Sequence, residues 1–168
     1  MVQLGILDEH EPVELLEGEL VVMPPESPGH ATNTERVRRA LEPHLGPGFH
    51  VRSNLPMRAS PDSLPVPDVA LYRGPFDAFE NAHPSSRDAL LVVEIAVTSH
   101  AIDRRKGSLY SRAGVPVYWL LDMPGRRLEV HADPRPAGDC RLIRILDSSD
   151  RVAVPGTGAE IPVAKLLP

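Results

Sequence analysis

The sequence predicts a single α+β domain of α/β-like character, a mixed β-sheet flanked by helices and preceded by an N-terminal β-hairpin. Three observations carry this. The stretch "ALLVVEIAV" (89–97) is apolar on both faces apart from one glutamate, as a strand covered on both sides would be, and "VPVYWLLDM" (115–123) reads as a second buried strand. Two segments between strands have helical rather than alternating spacing. The order runs hairpin, helix, strands, helix, strands, with no linker, repeat or low-complexity tract to divide it. A chain of 168 residues is enough for one core.

Each element has a local reason. "VELLEGELVVM" (13–23) reads as a hairpin turning at Glu17-Gly18. "PPESPG" is a loop. From His30 to Leu45 the spacing of His30, Thr34, Val37, Leu41 and Leu45 puts them on one helical face, and Pro43 predicts the helix end. "FHVRSNLPMRA" (49–59) alternates and reads as a strand with Val51, Leu55 and Met57 facing one way. "DVALYR" (68–73) is the next strand, and "GPFDAFENAHPSSRD" an extended connection to the central strand. Thr98 or Ser99 can cap a helix over roughly 100–113, which Gly114 and Pro116 stop. Pro124-Gly125 turns the 115–123 strand into "RRLEVHA". "RLIRIL" and "RVAV" read as further short strands, and "IPVAKLLP" as a terminal packing segment.

Composition bounds the function. Hydrophobic residues at 42% place the chain among globular proteins, and nineteen prolines punctuate the apolar runs as turns. A net charge of −5 gives no reason, from charge alone, to expect nucleic-acid binding. The single cysteine, Cys140, excludes an intramolecular disulfide and a cysteine-rich metal site. "MVQLGILDEHEP" lacks a basic start followed by a long apolar stretch, and no apolar run is long enough for a bilayer. The expectation is a cytoplasmic protein with no membrane partner.

Three charged groups stand on apolar surfaces. Glu94 lies in the middle of the most hydrophobic strand, where an isolated carboxylate must protonate or find a cation. Taken alone, it reads as a glutamate at a sheet end paired with an arginine. On a wheel of the second helix, Lys106 falls among Ile102, Leu109, Tyr110 and Ala113, while Arg104, Arg105 and Arg112 occupy the rest of the circumference. Such a lysine either snorkels outward or points at the sheet. Asp68 follows Pro67 at a strand start, where a turn role is ordinary. Together the set means more than its parts. Two close carboxylates are hard oxygen ligands suited to Mg²⁺ or Mn²⁺, and a nearby ammonium can orient a water or offset charge growing on phosphorus oxygens. The chemistry implied is metal-assisted hydrolysis of a phosphodiester.

At these residues the chain resembles the bacterial Uma-type family of restriction-endonuclease-like proteins, within the PD-(D/E)XK nuclease superfamily. The resemblance rests on "VELLEGELVVMPPESPGH", "VPDVALYRG" and above all "LLVVEIAVTSHAIDRRKGSLYSRAGVPVYWLLD", and it covers nearly the whole chain. It implies a restriction-endonuclease-like sheet and a Mg²⁺-dependent (or Mn²⁺-dependent) endonuclease acting on DNA. By position, Pro67-Asp68 matches the superfamily's Pro-Asp and Glu94 its second acid. Asp68 and Glu94 would hold the metal, with the Ile95 backbone carbonyl as a further ligand. The superfamily lysine belongs two residues after the second acid, where this chain has Ala96. In the Uma-type branch it stands on the following helix, matching Lys106, which would assist the attacking water or the transition state. His30 matches a family histidine; it is either a cap or core hydrogen-bonding group, or acts directly at the metal or phosphate. Glu14 also matches a family position, yet as a hairpin glutamate it is expected to be exposed and not catalytic. Tyr110 and Trp119 match positions expected to pack the helix onto the sheet, and Asp122 is expected to serve the turn after its strand.

Two other readings stand beside this one. A nuclease fold can serve as a catalytically silent binding or assembly module, and the acidic charge with only scattered arginines (Arg36, Arg38, Arg52, Arg58) favours it. Alternatively the charged set is structural, a buried Glu94–Lys106 pair with Asp68 remote from both. Nothing in the sequence reads bases. By analogy with nucleases, double-strand cleavage by so small a domain would favour a homodimer.

Overall fold

In the computed structural model, residues 12–97 and 101–168 are described, Ala101 by its backbone only. The strands are β1 (Val13–Leu16), β2 (Glu19–Val22), β3 (Phe49–Ser53), β4 (Val69–Arg73), β5 (Ala89–Ala96), β6 (Val117–Asp122), β7 (Arg127–Pro134), β8 (Cys140–Leu146), β9 (Arg151–Ala153) and β10 (Glu160–Pro162), with helices α1 (Pro28–Leu41) and α2 (Ala101–Arg112). Six strands form one sheet in the order β3-β4-β5-β6-β7-β8. Its neighbours are antiparallel except β5 and β6, which are parallel and therefore need the crossover that α2 supplies. The architecture is the predicted α+β mixed sheet between two helices.

β5 is buried along its whole length because both faces are covered. On one side Val69, Leu71, Val93, Ile95, Trp119 and Leu121 meet Val37 and Leu41 of α1, with Val152, Ile161, Val163, Leu166 and Leu167 from the chain end closing that layer. On the other, Ala70, Tyr72, Val92, Tyr118 and Leu120 meet Leu109 and Tyr110 of α2, Leu16 of the hairpin and Met57 of the loop before β4. Each fully buried Leu, Val or Phe-sized side chain stabilises by about 1.5–3 kcal/mol, so the two layers supply most of the driving force.

Local chemistry sets the element limits. The β1–β2 turn falls at Glu17 and Gly18, both at positive φ (54° and 83°), which matches the twist a two-residue hairpin requires. α1 begins earlier than the His30 expectation, because Ser27 caps it by accepting from His30 N at 3.2 Å and Pro28 fits the first helical position. It ends at Leu41, with a short 3-10 turn over Glu42–His44 at Pro43. The strand expected over 49–59 stops at Ser53, since Asn54 adopts a φ of 51° that leaves the extended region. The shared face expected for Val51, Leu55 and Met57 is therefore wrong: Val51 packs on the α1 side, Met57 is buried on the α2 side, and Leu55 is exposed. The connection before β5 contains a 3-10 turn at Phe76–Phe79. The proposed Thr98 or Ser99 cap lies outside the described residues. Among the described residues, no helix is long and apolar enough to cross a membrane.

Candidate active site

The register of β4 against β5 builds the site. Val69 opposes Val93 and Ala70 opposes Val92, so one step further sets Asp68 beside Glu94 on the α2 face of the sheet. Asp68 is fixed there by its own partners. Its Oδ2 accepts from Ile95 N at 2.7 Å and from His30 Nε2 at 3.1 Å. His30 reaches it from the first turn of α1, and its other ring nitrogen lies 2.9 Å from Glu26 Oε1. With a carboxylate on each side, the imidazole is held in its charged form. The Asp68 hydrogen bond outweighs the opposing effect of burial and raises its pKa to about 9.

Glu94 and Lys106 form the buried half of the site, 1% and 4% exposed. Lys106 arrives from α2 and places Nζ 2.7 Å from Glu94 Oε1, 3.0 Å from Glu14 Oε1 and 3.1 Å from the Val66 carbonyl. These three acceptors use all three ammonium protons. Tyr110, one turn further along α2, donates to Glu94 Oε1 at 2.7 Å. Burial pushes Glu94 up to about 8 against the pull of Lys106, and the nearby Asp68 and Glu14 charges add to the rise. Burial works against the Lys106 ammonium too. Here Glu94, Glu14 and Asp68 outweigh it and hold the lysine above its ordinary value. The same burial, with Glu94 beside it, keeps the Tyr110 phenol protonated well above its usual range.

Glu14 is the residue the sequence reading misplaced. Expected to be exposed, it is 3% exposed, because β1 alternates and Glu14 shares the inward face of Leu16. Its Oε1 accepts both from Lys106 Nζ and from Val66 N, each at 3.0 Å, tying the hairpin to the chain just before Asp68. That period-two pattern was the available signal. Glu26, the second partner of His30, carried no signal because it sits in a loop. Trp119 lies fully buried in the α1-side layer, so of the two expected aromatics only Tyr110 packs α2 onto the sheet. Asp122 accepts from Gly125 N at 2.8 Å, in keeping with a turn role, and also pairs with Arg127 at 2.8 Å. Asp68 adjoins Glu94, which removes the structural reading in which it stood apart.

The donor set bears on a metal as follows. Asp68 and Glu94 both line the same cleft, and among the described residues their hydrogen bonds and ion pairs fall on one oxygen each, Oδ2 and Oε1. Two hard oxygens with open space beside them fit Mg²⁺ or Mn²⁺, which retain several waters and favour few protein ligands. Among the described residues no group of three or more His, Cys, Asp or Glu could enclose an ion, so the set does not fit a metal that demands a protein cage. Ile95 contributes its N–H to Asp68. The cleft measures about 650 Å³ and is bounded by Val21–Ser27, Val97 and the first turn of α2.

A mixed sheet between helices, with two carboxylates and a lysine converging at one end of its central strands, is the frame of a nuclease-like fold. The chain belongs to the Uma2 family, described as "Putative restriction endonuclease", whose model matches residues 2–164. Among solved structures it is similar to one described as a "putative nuclease belonging to DUF820" from Anabaena variabilis ATCC 29413. That likeness has a TM-score of 0.72 at 18% identity and covers 95% of this chain and 92% of the other. At that identity the likeness speaks for the fold. No curated protein matches.

Proposed function

We propose that the chain is a Mg²⁺- or Mn²⁺-dependent endonuclease that hydrolyses DNA phosphodiester bonds. Family membership supports nuclease function, and the observation that carries the finer reading is the convergence of Asp68, Glu94 and Lys106 in one cleft. Asp68 and Glu94 would hold the ion, with the Ile95 carbonyl as a further ligand. When bound, the ion would supply Lewis-acid polarisation of the phosphate and a water of lowered pKa. The residues do the rest. Ile95 N–H and His30 orient Asp68 from two sides. Lys106 stands beside the acids as a fixed positive charge able to offset charge growing on the phosphorus oxygens. His30, as an imidazolium on the open side of Asp68, is placed to attract a phosphate as well. Cleavage of both strands would take two copies of the chain, so a homodimer belongs to the reading.

One observation favours the silent binding module instead: all three Lys106 protons already have acceptors. Two measurements on purified protein separate the readings. Calorimetric titration with Mn²⁺ should show binding that Asp68→Ala abolishes, and supercoiled DNA should be nicked in Mg²⁺ or Mn²⁺ by the native chain and not by Asp68→Ala or Glu94→Gln. Nicking unchanged in both variants overturns the assignment. Absence of Asp68-dependent Mn²⁺ binding, with no nicking, favours the silent module.

A further inference from the structure

The cleft that holds the acids is unlike a duplex channel in size and in lining. Its volume of about 650 Å³ falls within the roughly 300–1,000 Å³ typical of small-molecule sites. Its charged lining is Glu14, Glu26, Asp68, Glu94 and Asp103 against Lys106 and His30, and no arginine lines it among the described residues. Arg105 and Arg112 on α2 are each paired with hairpin glutamates, Glu17 or Glu19. The walls, by contrast, are aliphatic. Val22 of β2 and Ile102 of α2 both line the cleft and are 72% and 50% exposed.

We propose that Val22 and Ile102 are two aliphatic lips that grip sugar and base, so that the site takes a nucleotide from an unpaired or locally opened strand in preference to intact duplex. This rests on the nuclease reading above. One phosphate would lie at the floor beside Asp68 and Glu94, which would hold the ion, with the Lys106 charge behind them, while the flanking nucleoside lies against the lips. Apolar side chains that intrude on a base step recover part of the unstacking cost by burying their own surface, and that cost is smallest where the bases are already unpaired.

The test uses the full chain and three labelled DNAs of one sequence: single strand, duplex, and duplex with a central mismatched bubble. Binding is read by fluorescence anisotropy in Ca²⁺ and cleavage in Mn²⁺. The expected result is tighter binding and faster cutting of single strand and bubble, by about tenfold or more over duplex, with bubble cuts confined to the unpaired region. The double variant Val22→Ser/Ile102→Ser should keep native Mn²⁺ binding and melting temperature yet lose the preference. Equal handling of duplex by the native chain, an unchanged preference in the double variant, or no binding to any of the three DNAs overturns the proposal. Absence of Asp68-dependent Mn²⁺ binding overturns the nuclease reading itself, and this proposal with it, and is read separately.

Discussion

The Lys106 ammonium lies 2.7 Å from Glu94 Oε1 with both side chains buried, so neither charge has water to fall back on. Such pairs add little net stability, but breaking one from a single side leaves an uncompensated buried charge. Lys106→Met is expected to cost about 3–5 kcal/mol, since it strands Glu94 and Glu14 together. The double variant Glu94→Gln/Lys106→Met should recover part of that loss, because Glu94 no longer carries a charge and Tyr110 still has an acceptor, while Glu14 stays a buried carboxylate without its ammonium. Urea unfolding in EDTA measures both; equal loss in the single and double variants would show that the pair is not coupled.

Glu14 makes a different prediction because one oxygen serves two donors, Lys106 Nζ and Val66 N. Glu14→Gln retains an amide oxygen for both and should cost roughly 1 kcal/mol. Glu14→Ala leaves a buried backbone N–H and one ammonium proton without acceptors, and should cost about 2–4 kcal/mol. Hydrogen exchange at the Val66 amide gives a local check, with faster exchange expected in the alanine variant only.

Much of the layer structure was legible because burial writes itself into periodicity. β5 and β6 read as buried strands from their continuous apolar runs, and the wheel of α2 placed Lys106 inward and its arginines outward, as found. Ile102 departs from that wheel because it stands at the first turn, where α2 lines the open cleft rather than the sheet. The limits of β3 were not legible, since one residue at positive φ, Asn54, ends a strand whose alternation continues past it. Composition carries no trace of that choice. Glu14 shows the reverse error: its alternation with Leu16 marked it as inward, but a glutamate in a hairpin is so often solvated that chemistry overruled pattern. Its partner Lys106 lies ninety-two positions away, a pairing only the fold can make.

In metal-free protein, stability should fall as pH rises through the neutral and mildly alkaline range. His30, raised from 6.5 to about 9, contributes stability that is fully present below pH 6.5 and is lost as pH climbs through 9. Glu94, raised from 4.5 to about 8, is favoured protonated in the folded state, so it too loses stability as pH rises through 8. The His30 contribution is at most about 3 kcal/mol. Thermal melts in EDTA should therefore show a lower Tm near pH 9 than near pH 6.5, and His30→Asn should flatten the slope in that window. A Tm that rises with pH over the same range would refute the assignment of charge at both groups.

Gly107, the residue after Lys106, sets how closely α2 approaches the sheet. A Cβ built there would lie 2.8 Å from Tyr118 Cε1, closer than carbon atoms can pack, and the Tyr118 ring is pinned by its hydroxyl to the Asp103 carbonyl at 2.9 Å and by contact with Tyr110. In an open helix Gly→Ala gains about 1 kcal/mol. Here the gain should be reversed: Gly107→Ala must move Tyr118 or lift the helix, at a cost of about 1–3 kcal/mol from overpacking. Lifting α2 would also draw Lys106 away from Glu94 and Glu14, so the variant should lose nicking activity more steeply than stability. Gly107→Ala/Tyr118→Leu, which removes the obstructing ring edge, should restore activity at least in part. A single variant with native Tm and native nicking would show that the helix and ring relax freely, and that Lys106 is not positioned through this contact.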